Sequence, residues 1–175
     1  MNITGGKYNG RVVKAPDASL ARPTLSKVRM AVFNTLYSLI GDFDNKTFLD
    51  VFSGSGIMGL EALSRGFESV TGFEKNRAVL EIVKNNYKIL GLSANLILGD
   101  SLKVLKRFEG QKFDVVYIDP PYLSGIYEKT FLLLPEFDVA VVEHSEDVNF
   151  DNFTILQSKN YGGKMITYIA KKADD

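Results

Sequence analysis

Apolar positions along this chain follow two rhythms. From Thr47 onward, short β-branched apolar runs alternate with stretches in which apolar residues recur every three or four positions. The runs predict strands at Thr47–Val51, Ser69–Glu74, Ala94–Leu98, Phe113–Ile118 and Val139–Glu143. Between them the spacing predicts helices near Ile57–Ser64, Asn76–Leu90, Ser101–Arg107 and Ile126–Leu134. Strands that are apolar on both sides and separated by helices pair in parallel, with right-handed crossovers covering both faces. The tail breaks the alternation. Phe153–Lys159 and Lys164–Lys171 flank Tyr161-Gly162-Gly163, so the last two strands pair antiparallel through a tight turn. The fold class expected is α/β, with a mostly parallel sheet of seven strands that ends in an antiparallel β-hairpin.

Before Thr47 the pattern differs. Asn2-Ile3-Thr4 and Arg11-Val12-Val13-Lys14 flank a glycine-rich turn, Gly5 to Gly10, and read as a small β-hairpin. After Arg22-Pro23-Thr24 comes a helix capped by Thr24 or Ser26, with Leu25, Val28, Val32, Leu36 and Leu39 at helical spacing and Gly41 as its stop. No long linker follows. The chain is therefore expected to be one domain, in which residues 1–41 are an appendage on the catalytic sheet of residues 42–175.

Composition narrows the class only a little. The 175 residues are 45% hydrophobic and 24% charged, ordinary for a water-soluble domain. There is no cysteine and one histidine, which argues against a disulfide framework or a zinc centre, and no metal is expected. No apolar run approaches a membrane span, and no signal or lipidation motif appears, so the expected location is cytoplasmic. The net charge is zero but unevenly spread. Residues 1–30 carry Lys7, Arg11, Lys14, Arg22, Lys27 and Arg29 against Asp17 alone, whereas residues 131–158 carry only acidic charges. Lys7, Tyr8, Arg11 and Lys14 near the hairpin form a candidate RNA-binding surface: cations for backbone phosphates and a ring to stack on a base.

The candidate chemistry begins at Asp119-Pro120-Pro121-Tyr122, directly after the Phe113–Ile118 strand. Two prolines there forbid both helix and ladder pairing, so the chain leaves the sheet extended and stiff. A carboxylate, bare carbonyls and an aromatic ring then stand at the carboxyl edge, where open α/β sheets bind ligands. An amino group on a flat heterocycle suits this set. Asp119 and the Pro120 carbonyl can accept its two N–H bonds while Tyr122 stacks on the ring. Holding those hydrogens out of plane localises a lone pair that the ring otherwise delocalises. A strand-ending turn with a core tyrosine would use the same residues.

A second stretch, Asp50-Val-Phe-Ser53-Gly54-Ser-Gly56-Ile-Met-Gly59, follows the first sheet strand. Its glycines permit a sharp turn and close backbone approach to a ligand, and Glu74 ends the next strand as a ribose-binding acid would. NAD and S-adenosylmethionine both fit this much. Asp50 favours the second, because a carboxylate suits a cationic amino group and does little for a pyrophosphate. Asp100, after the third strand, could accept from an adenine amino group or simply cap the next helix.

Taken together these residues resemble the class I S-adenosylmethionine-dependent methyltransferases, and more narrowly the RsmD family, which methylates the exocyclic N2 of a guanine in small-subunit (16S) ribosomal RNA. The resemblance runs from the I-x-G-G-x-x-x-G-R hairpin at Ile3–Arg11 and Arg22-Pro23-Thr24, through Asp50–Arg65, Glu74, Asp100 and Asp119–Tyr122, to Gly162-Gly163. It implies a Rossmann-like fold with S-adenosyl-L-methionine as cofactor. It further implies that Asp50, Ser53, Gly54 and Gly56 hold the methionine end, Glu74 and Lys75 the ribose, and Asp100 and Ser101 the adenine. Arg22 and Thr24 would close over the cofactor. Asp119, beside the cofactor, and Pro120, Pro121 and Tyr122 would form the catalytic set. The implied partner is small-subunit ribosomal RNA, naked or within an assembling 30S subunit, and the protein is expected to act as a monomer. Asn76 departs from the Asp common at that position.

DNA or RNA adenine-N6 methyltransferases share the glycine loop and D-P-P-Y, and an NAD oxidoreductase shares the loop alone. The first would normally need a target-recognition region, for which the chain has no room; the second needs an acid/base group at a hydride site, which it does not offer. His144 is placed just past a strand end with no catalytic role, and Glu143 either lines the site or is a surface acid.

Overall fold

The computed structural model describes residues 1–21, 23–121, 123, 125–145 and 147–173. Arg22 and Tyr122 therefore lie outside the described residues. The strands are β1 (Thr47–Asp50), β2 (Ser69–Glu74), β3 (Asn95–Leu98), β4 (Lys112–Ile118), β5 (Glu136–His144), β6 (Phe153–Tyr161) and β7 (Lys164–Lys171). They form one sheet in the order β3-β2-β1-β4-β5-β7-β6. The first five strands pair in parallel, while β7 runs antiparallel to both β5 and β6. The helices are α1 (Ser26–Ile40), α2 (Ile57–Ser64), α3 (Arg77–Ile89), α4 (Ser101–Leu105) and α5 (Ile126–Phe131).

Alternate strand residues feed two cores, one on each face of the sheet. Phe48, Val115, Tyr117 and Val141 join Phe33, Phe67 and Val83 on one side; Leu49, Val116, Ile118 and Val142 join Phe73, Leu105 and Tyr127 on the other. The strand order reverses beside β1. Asp50 lies opposite Tyr117 in the parallel register, so the loops after β1 and β4 leave the sheet side by side. Such a switch point is where this kind of sheet opens a ligand crevice.

Several elements differ from expectation at their ends. Neither Thr24 nor Ser26 caps α1; its N-cap is Leu25, without a side-chain bond. The Thr24 carbonyl and the Ser26 hydroxyl are both taken by the guanidinium of Arg29. Helix α5 ends at Phe131 rather than Leu134, and β5 begins at Glu136 rather than Val139. Sequence periodicity misses these boundaries, because Leu132–Leu134 stay apolar past the helix end while Glu136 and Asp138 make the start of the strand look polar.

The amino-terminal hairpin is reduced to one bridge, Asn2 to Val12. The rest of its loop is spent on α2. Backbone N–H groups of Lys7 and Tyr8 donate to the Ser64 carbonyl (2.7 Å) and hydroxyl (2.9 Å), and that hydroxyl donates to the Gly5 carbonyl (2.6 Å). A Cβ on Gly6 would overlap the Ser64 carbonyl, so this glycine is needed both for the contact and for its left-handed φ of 75°. Ser64 ends α2 at the amino edge of the sheet, one eight-residue helix (about 12 Å) from the glycine loop at its start. The hairpin tip and the strand-end crevice thus lie at opposite ends of α2.

Candidate active site

Four acidic side chains gather where the parallel strands end. Asp50 closes β1 and is buried, and its Oδ1 has no hydrogen-bond partner among the described residues. Burial raises its carboxyl well above the usual carboxylate range, and the neighbouring Asp119, Glu74 and Glu143 push it further the same way. A buried acceptor left open amid negative charge is costly unless a cationic donor arrives. S-adenosylmethionine fits that requirement through its amino and sulfonium charges, whereas a pyrophosphate would add to the repulsion.

The loop after Asp50 is held by its own backbone. Ser53 donates its N–H to the Phe73 carbonyl and its hydroxyl to the Asp50 carbonyl. Gly56 adopts φ 71°, and a Cβ there would overlap Val83 of α3. A Cβ on Gly59 would overlap the Tyr87 hydroxyl. These two glycines serve close packing of α2, while Gly54, with only Ala21 and a Phe52 carbonyl near it, has room on its outer side.

Glu74 ends β2, half-buried, and accepts from the Asn76 backbone N–H at 2.6 Å. Burial raises its carboxyl, and the N–H groups of Asn76 and Gly54 and the charge of Lys75 oppose the rise. Asn76 caps α3 by accepting from the backbone N–H groups of Ala78 and Val79. Asp100 caps α4 through Oδ1, accepting from Lys103, and is otherwise exposed. The Ser101 hydroxyl donates to the Val51 carbonyl (2.6 Å) and so ties α4 to the glycine loop. Thr24 is half-buried near the start of α1, with its carbonyl under Arg29.

Asp119 follows β4, with Pro120 buried and Pro121 exposed beyond it. Its oxygens lie 3.1 and 3.3 Å from the Lys164 ammonium, which also touches Oε2 of Glu143. Burial raises the Asp119 and Glu143 carboxyls, and Lys164 pulls both back. Burial works against the charge on Lys164, but the two carboxylates hold its ammonium above the ordinary lysine range. Glu143 is fully buried and receives the Tyr117 hydroxyl, so of its two expected placements the surface acid is ruled out. His144 is corrected as well: it is the last residue of β5, buried, with Nε2 2.9 Å from the Thr167 hydroxyl. Lys164 escaped the sequence reading because nothing in a β-strand's first residue announces a role. Its position right after Gly162-Gly163, at the tip of the terminal hairpin, was the available signal.

Of the candidate RNA residues, Lys7, Arg11 and Lys14 are exposed, and Tyr8 is half-buried against the core with the Lys7 ammonium 5.5 Å from its ring. Arg29, one of the basic side chains of residues 1–30, is buried and paired with Glu61 at 3.0 Å. Among the described residues no helix is long and apolar enough to cross a membrane.

The chain is similar to known proteins over most of its length. The family described as "Conserved hypothetical protein 95" matches residues 1–170. Ribosomal RNA small subunit methyltransferase D of Escherichia coli K12 is 36% identical over 137 residues, covering 78% of this chain and 67% of its own length. The putative rRNA methyltransferase YlbH of Bacillus subtilis is 34% identical over 179 residues, covering 93% of this chain and 94% of its own. Among solved structures, the putative methyltransferase yhhF from Escherichia coli superposes with a TM-score of 0.84 at 28% identity, over 99% of both chains.

Proposed function

The chain belongs to this family, that of ribosomal RNA small subunit methyltransferase D, and from that premise we propose that it methylates the exocyclic N2 of a guanine in small-subunit ribosomal RNA. The observation that carries the reading is the pairing, across the β1–β4 switch point, of an open buried carboxylate with Asp119-Pro120. One end suits a cationic cofactor; the other suits an aromatic amine.

S-adenosylmethionine is the cofactor and supplies a methyl group already bonded to a good leaving group, a sulfonium. The protein's task is then alignment, which in favourable cases supplies on the order of 7–11 kcal/mol. Asp50 and the Ser53–Gly56 turn take the methionine end, Glu74 the ribose hydroxyls, and Asp100 the adenine amino group. Ser101 supports the adenine side by fixing α4 to the loop. At the other end Asp119 and the Pro120 carbonyl accept the two N–H bonds of the guanine amine, with the Tyr122 ring assigned to stack on the base. As the nitrogen forms its new bond it becomes cationic, and Asp119 holds the proton it sheds. Inside a duplex or tight loop the guanine must first leave its stack. Residues 1–41 act as an RNA-docking appendage on the sheet, in a protein that works as a monomer on cytoplasmic small-subunit RNA or on an assembling subunit.

The test is methyl transfer from labelled cofactor to ribosomal RNA, partly assembled small subunits and DNA in parallel. Label in N2-methylguanine of small-subunit RNA is the expected result. Label in adenine of DNA or RNA would overturn the assignment in favour of an adenine enzyme.

A further inference from the structure

The terminal hairpin brings a charge to the crevice that the assigned chemistry leaves unused. Gly162 and Gly163 have φ of 64° and 91°, so the β6–β7 connection is a two-residue turn with both residues left-handed. No atom would obstruct a Cβ at either position, so the glycines serve the turn conformation, not packing space. Asn160 fastens the turn by accepting from the Gly163 N–H at 2.9 Å. Because β7 runs antiparallel to β5, its first residue emerges at the same edge as the ends of the parallel strands. That residue is Lys164, opposite Tyr161 across the turn.

Resting on the proposed methyl transfer, we infer that Lys164 is a positioning residue of the transfer site, whose ammonium clamps the Asp119 carboxylate against buried Glu143 and presents it ionised to the amino group of the base. The ammonium spans both oxygens of Asp119, at 3.1 and 3.3 Å, and touches Oε2 of Glu143. Glu143 is itself anchored from behind by the Tyr117 hydroxyl, so the clamp rests on a fixed base. A carboxylate offers about four lone-pair positions, so one edge can meet Lys164 while the other remains for the amine. Without the lysine, Asp119 would face Asp50 and Glu143 with no cation between them, and like charges favour protonation. A protonated Asp119 offers a donor where the base amine needs an acceptor.

The charged groups around Asp119 are thus Lys164 from β7, Glu143 from β5 and Asp50 from β1, with the Tyr117 hydroxyl of β4 on Glu143. Burial already lifts the Asp119 carboxyl, and Lys164 is what restrains it.

The experiment compares wild type, Lys164→Arg, Lys164→Met and the double variant Lys164→Met/Glu143→Gln. The double variant removes the carboxylate that Lys164→Met would strand, and guards against a folding defect. Carboxyl-carbon NMR on aspartate-labelled protein, with the Asp119 resonance assigned by Asp119→Asn, follows ionisation without any methylation assay. Single-turnover methylation across pH follows catalysis. In Lys164→Met and in the double variant the Asp119 titration and the acid limb of the rate should both move up by about one to three pH units, as expected on losing a cation at this distance. Lys164→Arg should restore both, and cofactor affinity should stay near wild type. An unmoved Asp119 titration, or a rate loss equal at acid and alkaline pH, would overturn the inference. A wild type inert toward every RNA, with the Lys164 variants still showing the NMR shift, would instead sink the methyl-transfer reading and uphold the clamp.

Discussion

Two buried ionic groups in this molecule are built on opposite rules. At the amino edge, Glu61 sits at the centre of a closed set. Its Oε1 meets the Arg29 Nε at 3.0 Å and the Thr4 N–H and hydroxyl at 2.8 Å, and its Oε2 meets the Arg65 Nε at 3.3 Å. Arg29 spends its other nitrogens on the carbonyls of Thr24 and Asn2 and on Ser26, stapling the first residues of the chain to α1 and α2. At the carboxyl edge, Asp50, Asp119 and Glu143 gather around Lys164 with Glu74 beside them, and among the described residues an oxygen of Asp50 is left open. A buried charge with every partner in place holds a fold together. A buried charge missing a partner stores an unmet demand, and that demand marks the place where a ligand binds.

The comparison can be broken from either side. Glu61→Ala should cost roughly 3–5 kcal/mol, because buried Arg29 is left with no counter-charge and the half-buried Arg65 loses its partner as well. Urea unfolding measures this loss, and the folded fraction should keep its methylation rate. Asp119→Ala should lower single-turnover methylation by roughly 10²–10³-fold, as losing one preorganised group at a reaction centre does, with cofactor affinity unchanged by calorimetry.

Asp50→Asn should divide the two quantities. Cofactor affinity should fall by about 10–100-fold, the value of one charge-assisted hydrogen bond, while the free protein melts a few degrees higher, about 2–4 °C for each kcal/mol recovered. The pH dependence has the matching sign. Asp50, Glu74, Asp119 and Glu143 all carry raised carboxyls, so the folded chain binds their protons more tightly than the unfolded chain. Stability of the free protein should therefore decline as pH rises from the ordinary carboxylate range through the raised values, and saturating cofactor should flatten the decline. Melting curves with and without cofactor check both statements.

The smallest effect belongs to the hairpin. Replacing Lys7, Arg11 and Lys14 with alanine should flatten the salt dependence of RNA binding by a log–log slope of about 2, if three phosphates are met there. Cofactor binding should be untouched, since the hairpin sits a helix length from the glycine loop. An unchanged slope would move the RNA surface elsewhere, and Arg29 could not be part of it, being buried in the closed set.

The sequence by itself determined the sheet and one side of the crevice. Largely apolar strands separated by helices are satisfied by burial on both faces, and Asp50, Glu74 and Asp119 each stand at the end of such a strand, so strand direction alone sends them to one edge. The glycine pair before Lys164 likewise announced its turn, since φ above zero at two successive positions is a local property. Only the tertiary structure decided which charges meet. Arg29 and Glu61 are 32 residues apart, Asp119 and Lys164 45, and whether a charged side chain is a surface group, a staple or a clamp depends on what the fold brings within about 3 Å of it. Periodicity reports which face of an element is apolar. It carries no record of the neighbour across the sheet, and for a charge that neighbour is the whole of its function.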